Sequence, residues 1–281
     1  MSSIVRQFLM WWFAPPESPW VCGNFSIDVT TVQAYLTRIN EQNQTRVSLH
    51  NFISAAVARA LKAVPQANSR IFGHQIVPQE DVGIAMPVNL IGHEGGGERE
   101  LSMMVIEQVD KKSLVELAKV GRNRKDQERK GKMQNSFLAG LLKVFEKLPS
   151  QLNRRFLNRL DQASKNSHFA QKIFEHIPVT AAITNPGSTH PSDLQGVLFR
   201  GGSFHPPQRI AHVGTFWGIT GIQNEVIPID GQPQIRPMLP VMLIFDHRLI
   251  DGVKASELSF EFIKCFQEPE VYFGADGGMK P

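Results

Sequence analysis

The residues best suited to proton transfer stand near the carboxyl end of the chain, where residues 245–252 read FDHRLIDG. The apolar run from Val241 to Phe245 predicts a strand, and a histidine at the end of a strand can lie at the mouth of a cleft. His247 carries the side chain best suited to accept a proton near neutral pH. Asp251 precedes a predicted helix, where a carboxylate is stabilised and can fix a loop through backbone N–H groups or an arginine. The pattern by itself leaves two interpretations of His247, a general base and a buried structural histidine.

The sequence lacks the motifs of metal, serine-hydrolase and phosphate-binding sites. The histidines show no HExxH or paired metal-ligand spacing, and Cys22 and Cys265 form no CxxC pair, so we expect no metal. There is no GxSxG motif, and the glycine-rich segment 92–100 (GHEGGGERE) lacks phosphate-binding spacing and predicts a hairpin loop. His190 and His205 could line a pocket, with a surface or hydrogen-bonded role as the alternative.

The elements that must position these residues follow an α/β pattern. The clearest is a helix over 48–64, which has one continuous apolar stripe, a capping residue in Ser48 and a stop at Pro65. Other helices are predicted over 31–43, from 113 onward and over 252–266. Strands are predicted over 21–29, 70–77, 82–89, 101–108, 179–185, 196–204, 210–218, 221–229 and 234–245.

Residues 133–177 predict an irregular helical insertion into this domain. An apolar stripe within 137–148 ends at Pro149 and continues through Leu152, Phe156 and Leu160. Packing is the plain interpretation, with a cap over an apolar pocket or a surface-binding helix pair as alternatives. The preceding run from Lys119 to Lys132 contains seven basic residues and predicts a solvated helix end or loop.

Length and charge fit one globular domain of 281 residues, with residues 1–20 as an apolar arm and residues 21–281 as the domain. The chain has 30 Lys+Arg against 26 Asp+Glu, too small an excess for a nucleic-acid partner. Its longest apolar runs fall far short of the about 20 residues that span a membrane. We expect the aromatic arm to pack on the domain or a neighbouring subunit, with membrane-surface contact as the alternative. The few cysteines fit a reducing, cytoplasmic location.

Taken with its surroundings, the segment Asp246 to Gly252 (DHRLIDG) resembles the signature of the dihydrolipoamide acyltransferases. These are the E2 catalytic domains of 2-oxo acid dehydrogenase complexes, which share fold and motif with chloramphenicol acetyltransferase. Further segments resemble the family in its order: 47–68 (VSLHNFISAAVARALKAVPQAN), 82–90 (VGIAMPVNL), 114–118, 183–187 (ITNPG) and 206–214. The resemblance covers most of the chain from about residue 25. It implies a two-layer α/β sandwich of the chloramphenicol acetyltransferase type, with a mixed sheet and helices on one face.

The resemblance also implies a catalytic set without metal or covalent enzyme intermediate. His247 matches the general base, Asp251 the carboxylate that shapes the active-site loop, and Thr184 the hydroxyl residue that faces the oxyanion. Ser188 or Thr189 could replace Thr184 if the loop register differs. The implied substrate is an acyl-CoA, so coenzyme A is the implied cofactor, and the acceptor is a thiol, hydroxyl or amine, lipoamide or carrier-bound groups included. In the family the base and the hydroxyl come from neighbouring subunits, which implies a homotrimer or a larger trimer-based assembly.

Four departures from the family qualify these expectations. No lipoyl domain or linker precedes the catalytic part, so we expect no covalent lipoyl group on this chain. The insertion is longer than the usual loop, the segment after Thr184 reads NPGSTHP, and the N-terminal arm is rich in Trp and Phe. These features predict a stand-alone acyltransferase with an altered, apolar acceptor under the inserted helices.

Two other functions remain open. The chain could be a non-catalytic assembly or core subunit of a multienzyme complex, although a scaffold has no need of His247 and Asp251. The basic run and the helical insertion could instead dock an acidic carrier protein or a membrane surface, which is compatible with catalysis.

Overall fold

The computed structural model describes residues 18–90, 100–129, 150–185, 200–203, 206 and 212–279. Its strands are β1 (Trp20–Asp28), β2 (Ser69–Phe72), β3 (Gln75–Pro78), β4 (Ile84–Leu90), β5 (Glu100–Ile106), β6 (Ala181–Thr184), β7 (Thr215–Ile219), β8 (Gln223–Ile229) and β9 (Gln232–Asp246). Its helices are α1 (Thr30–Gln42), α2 (Leu49–Ala63), α3 (Leu114–Arg129), α4 (Ser150–Ser164), α5 (Ser167–Phe174), α6 (Gly252–Gln267) and α7 (Pro269–Phe273).

A mixed sheet of seven strands organises the domain, with the order β1-β9-β7-β6-β4-β5 and β8 paired to the first half of β9. The pairs β4–β6 and β6–β7 are parallel, and the other pairs are antiparallel. The 15-residue β9 is an interior strand over its second half, which β1 and β7 flank. The predicted α/β class with a mixed sheet is confirmed.

The main core lies between this sheet and helices α1, α2, α3, α6 and α7. Phe52 of α2 packs edge-on against Phe266 of α6 and Phe273 of α7, with ring centroids 5.1 Å and 5.0 Å apart. Trp217 of β7 meets Phe262 of α6 at 4.7 Å. These contacts fix α6, and therefore the turn that precedes it, against the centre of the sheet.

The α2 helix forms for the reasons that its sequence predicts. Ser48 and Asn51 make a capping box that satisfies backbone N–H groups at the first turn. The predicted apolar stripe is buried, including Phe52, Ala56 and Leu61, each with no exposed surface. Pro65 follows the end of the helix, where it cannot continue the hydrogen-bond ladder.

The structure corrects two of the predicted strands. Residues 70–77 form a hairpin of two strands, β2 and β3, because Gly73 turns the chain with a φ of 59°. Within the predicted strand 196–204, residues 200–203 are irregular, and the rest lies outside the described residues. The hairpin loop 92–100 lies outside them as well, up to residue 99, but β4 and β5 pair antiparallel across it as predicted.

The described part of the predicted insertion is helical, as expected. Helices α4 and α5 pack through a small separate cluster that joins Phe72 to Ala170 and Phe174. The basic run continues helix α3 to Arg129, and the stripe at 137–148 lies outside the described residues. The division into arm, domain and insertion stays a prediction.

Candidate active site

His247 lies in the turn that joins β9 to α6. Leu243, Ile244 and Phe245 of β9 are apolar and buried, so the strand carries the turn out of the core at a fixed point. The backbone N–H of His247 donates a hydrogen bond to the carbonyl of Pro19 at 2.8 Å. Its ring is half-buried, 6.1 Å from the ring of Phe245. The backbone of the candidate base is thus held from both sides, by β9 and by the segment before β1.

The residue before it, Asp246, organises the turn. Its carboxylate has no exposed surface. Arg248 donates to it from Nε at 3.0 Å, from Nη2 at 2.7 Å and from the backbone N–H at 2.9 Å. The carbonyl of Asp246 accepts from the backbone of Leu249 at 2.9 Å and of Ile250 at 3.3 Å. The side chain and the backbone of Asp246 therefore hold the three residues that follow His247.

A second histidine completes this buried network. The Nε2 atom of His212 lies 2.9 Å from Oδ2 of Asp246. Burial alone raises the pKa of Asp246, but the hydrogen bonds from His212 and Arg248 outweigh burial and lower the pKa to about 2. Asp246 is therefore ionised at neutral pH and balanced by the guanidinium of Arg248.

Asp251 caps helix α6. Its side chain accepts a hydrogen bond from the backbone N–H of Lys254 at 3.0 Å, and its backbone is extended, as a capping residue requires. The predicted placement before a helix is therefore correct. The contact fixes the end of the loop that begins at His247.

Thr184 is the last residue of β6 and is half-buried. It pairs with Gly218 of β7, which in turn pairs with Met242 of β9. Asp246 lies four residues farther along β9. Two strand spacings across and four residues along put the Cα atoms of Thr184 and Asp246 roughly 16 Å apart. A single chain therefore does not bring Thr184 and His247 together.

Four other residues that the sequence suggested for the site lie outside the described residues: Ser188, Thr189, His190 and His205. Over the parts of the chain that the structure describes, no group of three or more His, Cys, Asp or Glu side chains could hold a metal ion. In the same parts, no helix is long and apolar enough to cross a membrane.

The buried network of Asp246, Arg248 and His212 was not predicted from the sequence. One signal was present, since Asp246 ends an apolar strand in which a carboxylate must find partners. No signal in the sequence connects His212 to it, because 34 residues separate the two.

The comparison with protein families decides the classification. The model described as 2-oxoacid dehydrogenases acyltransferase (catalytic domain) matches residues 15–141 and 179–273. This chain belongs to that family. The resemblance inferred from DHRLIDG and the other segments is confirmed. The matched segments leave residues 142–178 uncovered, a gap that overlaps most of the predicted insertion.

Individual acyltransferase relatives are distant. The chain is 24% identical over 253 residues to the dihydrolipoyllysine-residue succinyltransferase component of the 2-oxoglutarate dehydrogenase complex of Rickettsia bellii, covering 87% of this chain and 48% of the relative. It is 22% identical over 241 residues to the lipoamide acyltransferase component of the branched-chain alpha-keto acid dehydrogenase complex of Bacillus subtilis, covering 84% and 44%. The chain thus spans about half the length of the curated relatives it matches.

Solved structures of acyltransferases show the same fold. A probable dihydrolipoamide acetyltransferase from Listeria monocytogenes superposes with a TM-score of 0.61 at 17% identity, covering 95% of this chain and 93% of that one. Chloramphenicol acetyltransferase superposes with a TM-score of 0.53 at 11% identity, covering 92% and 94%. The predicted chloramphenicol acetyltransferase type of fold is confirmed.

Proposed function

We propose that this acyltransferase domain moves an acyl group from an acyl-CoA thioester to a thiol, hydroxyl or amine acceptor, with His247 as the general base. The observation that carries the proposal is the fixed position of His247 in a family member with an acyltransferase fold. Its turn is held by Pro19, by the ionised Asp246 and, at the start of α6, by Asp251. A base must be held within hydrogen-bond reach of the proton that it removes.

The proposed acyl transfer needs no reactant other than the acyl-CoA and the acceptor. The acceptor gives its proton to His247 as its heteroatom forms a bond to the thioester carbonyl carbon. The tetrahedral intermediate then collapses, the C–S bond breaks, and the departing thiolate of coenzyme A takes the proton back from His247. The products are free coenzyme A and the acylated acceptor. The reverse reaction uses the same groups in the opposite order.

We place the oxyanion donor, Thr184, on a neighbouring copy of the chain. The separation of about 16 Å between Thr184 and Asp246, estimated from strand geometry, exceeds the reach of two side chains. A hydroxyl and a base from adjacent subunits of a homotrimer would resolve this separation. Removing one oxyanion donor typically costs 10²- to 10³-fold in turnover.

The decisive experiment is a panel of acyl-CoA species of short, medium and long chain, each offered with thiol, amine and alcohol acceptors, lipoamide included. Mass spectrometry follows free coenzyme A and acylated product. General-base catalysis is worth about 10²- to 10⁴-fold, so His247→Ala should lower turnover by that factor. The matched control is His176→Ala, because the side chain of His176 is 76% exposed on the surface.

The alternative is a non-catalytic assembly subunit of a multienzyme complex, and the same panel separates the two. An assembly subunit releases no coenzyme A with any pair and does not bind it, and its oligomeric state is unchanged by His247→Ala. Turnover that is equal in His247→Ala and His176→Ala would reject His247 as the base even if transfer is observed.

A further inference from the structure

His212 is a buried histidine whose ring nitrogens, ring face and carbonyl all contact other residues. It lies in the segment that leads into β7, and its side chain is 10% exposed. The indole ring of Trp20 stacks on its imidazole, with centroids 6.2 Å apart and an angle of 12° between the planes. The charged groups that face it are Asp246, Arg248 and Arg70.

The hydrogen bonds of His212 identify its protonation state. The backbone N–H of Ile71 points at Nδ1 at 3.0 Å, and an N–H group can donate only to an unprotonated ring nitrogen. The ring is therefore neutral, with its proton on Nε2, and Nε2 donates to Oδ2 of Asp246. Burial also lowers the pKa of His212, against the opposing effect of Asp246. Because both nitrogens are used inside the protein, His212 is not a base for a substrate.

Strand β2 fixes His212 through its main chain as well as through its ring. The Nε atom of Arg70 donates to the carbonyl of His212 at 3.3 Å. The same buried guanidinium donates from Nη1 to the carbonyls of Phe174 at 2.9 Å and Ile177 at 2.7 Å, at the end of α5. The imidazole therefore has little freedom to follow Asp246 if that carboxylate moves.

We propose that His212 is a positioning residue that acts on His247 through Asp246. The proposal rests on the proposed function of His247 as the base. Arg248 lies in the same turn as Asp246 and would move with it, whereas His212 reaches the carboxylate from another part of the fold. Its Nε2–H group thus ties the side chain of Asp246 to the adjoining segment, while the backbone N–H of Asp246 donates to the carbonyl of Gly214 at 3.1 Å. Removing the side-chain tie lets the Asp246 carboxylate and Arg248 turn together, and this shifts the residues that follow His247.

The size of the effect follows from the precision that proton transfer needs. A displacement of about 1 Å in a reacting group can cost about 10²-fold in rate. We expect His212→Phe, which keeps a ring under Trp20 but removes both hydrogen bonds, to lower kcat by about 10- to 100-fold. The KM for acyl-CoA should change little, because His212 does not reach the substrate.

Two further variants separate positioning from simple support of the fold. The amide nitrogen of His212→Gln reaches the place of Nε2 and can donate to Asp246. The amide oxygen of His212→Asn reaches the place of Nδ1 and can accept from Ile71 only. Positioning through Asp246 predicts that Gln restores most of kcat and that Asn does not. Restoration by Asn and not by Gln, or an unchanged kcat in His212→Phe, would overturn the proposal.

A measurement without turnover keeps this result separate from the proposed function. The Cε1–H chemical shift of His247 is measured by NMR at one fixed pH in the full chain as wild type, His212→Gln, His212→Asn and His212→Phe. We expect the Phe and Asn variants to move this chemical shift and the Gln variant to return it to the wild-type value. If the wild type shows no acyl transfer while this pattern holds, the proposed function fails and the link from His212 to His247 stands. If turnover requires His247 but neither turnover nor the chemical shift responds to His212, the link is rejected. If His212→Phe does not fold, the comparison of His212→Gln with His212→Asn tests the proposal.

Discussion

Thr184 and His247 lie beside opposite ends of β7, which pairs with Thr184 at Gly218 and with Phe245 at Thr215. Thr184 ends β6 in register with Met242 of β9, and His247 follows the far end of that same strand. The proposed function brings a hydroxyl and a base into one site, so it takes Thr184 from a neighbouring copy, with its own β6 end placed against this turn.

Complementation between two inactive variants tests this arrangement. His247→Ala and Thr184→Ala are each expected to be nearly inactive. Co-assembled in equal amounts, they should recover about one quarter of wild-type activity, because that fraction of shared sites receives both intact residues from different chains. The check is turnover of co-expressed, doubly tagged protein. No recovery in confirmed mixed oligomers would place both residues in one chain's site.

The cap of α6 predicts a stability difference between two substitutions of Asp251. Asp251→Ala removes the acceptor for the N–H of Lys254 and should cost about 0.5–2 kcal/mol in the free energy of unfolding. Asp251→Asn keeps an acceptor oxygen and should cost much less. Urea unfolding at pH 7 measures both. Equal losses for Ala and Asn would mean that the carboxylate charge, and not the cap, stabilises this turn.

The buried, ionised carboxylate of Asp246 should make the free energy of unfolding depend on pH. Its pKa is lowered to about 2 in the folded protein, so the unfolded chain binds the proton first as the pH falls. The stability that its charge contributes is complete above about pH 4 and is lost as the pH falls toward 2. The gap in unfolding free energy between wild type and Asp246→Asn should therefore narrow across this window. Glu41→Gln on α1 is the control. A difference in unfolding free energy between wild type and Asp246→Asn that stays constant from pH 5 to 3 would contradict an ionised Asp246.

Gly83 lies at a position where we expect even an added methyl group to disrupt the sheet. A Cβ atom there would clash with the carbonyl oxygen of Pro178 and come within 2.6 Å of its carbonyl carbon. The carbonyl of Gly83 also accepts from the backbone N–H groups of Thr180 at 2.9 Å and Ala181 at 3.2 Å. Gly83→Ala must push β4 and β6 apart.

We expect Gly83→Ala to lower the thermal midpoint by many degrees or to prevent folding. Gly23→Ala on β1 is the matched control, because a Cβ there meets nothing within 4 Å. Circular dichroism during heating compares the two variants. A midpoint for Gly83→Ala as high as that of Gly23→Ala would show that the chain before β6 can move aside.

Local patterns predicted most elements because their causes are local. The apolar stripe of α2, its cap at Ser48 and its stop at Pro65 all lie within one segment. The hairpin at Gly73 was missed because strand-forming apolar residues lie on both sides of the turn, at 71–72 and 76–77, and the left-handed backbone of Gly73 divides them. Asp251 was placed correctly before α6 for the same local reason.

The sequence by itself determined the family, the fold class and the candidate base, since the DHRLIDG run and the ordered segments around it are read without coordinates. Only the tertiary structure decided what surrounds that base. The bond between His212 and Asp246 joins residues 34 apart in sequence, and the distance between Thr184 and His247 depends on the order and register of β6, β7 and β9. Periodicity shows which side of a strand is buried, but the partners of a buried charge are set by which strands become neighbours.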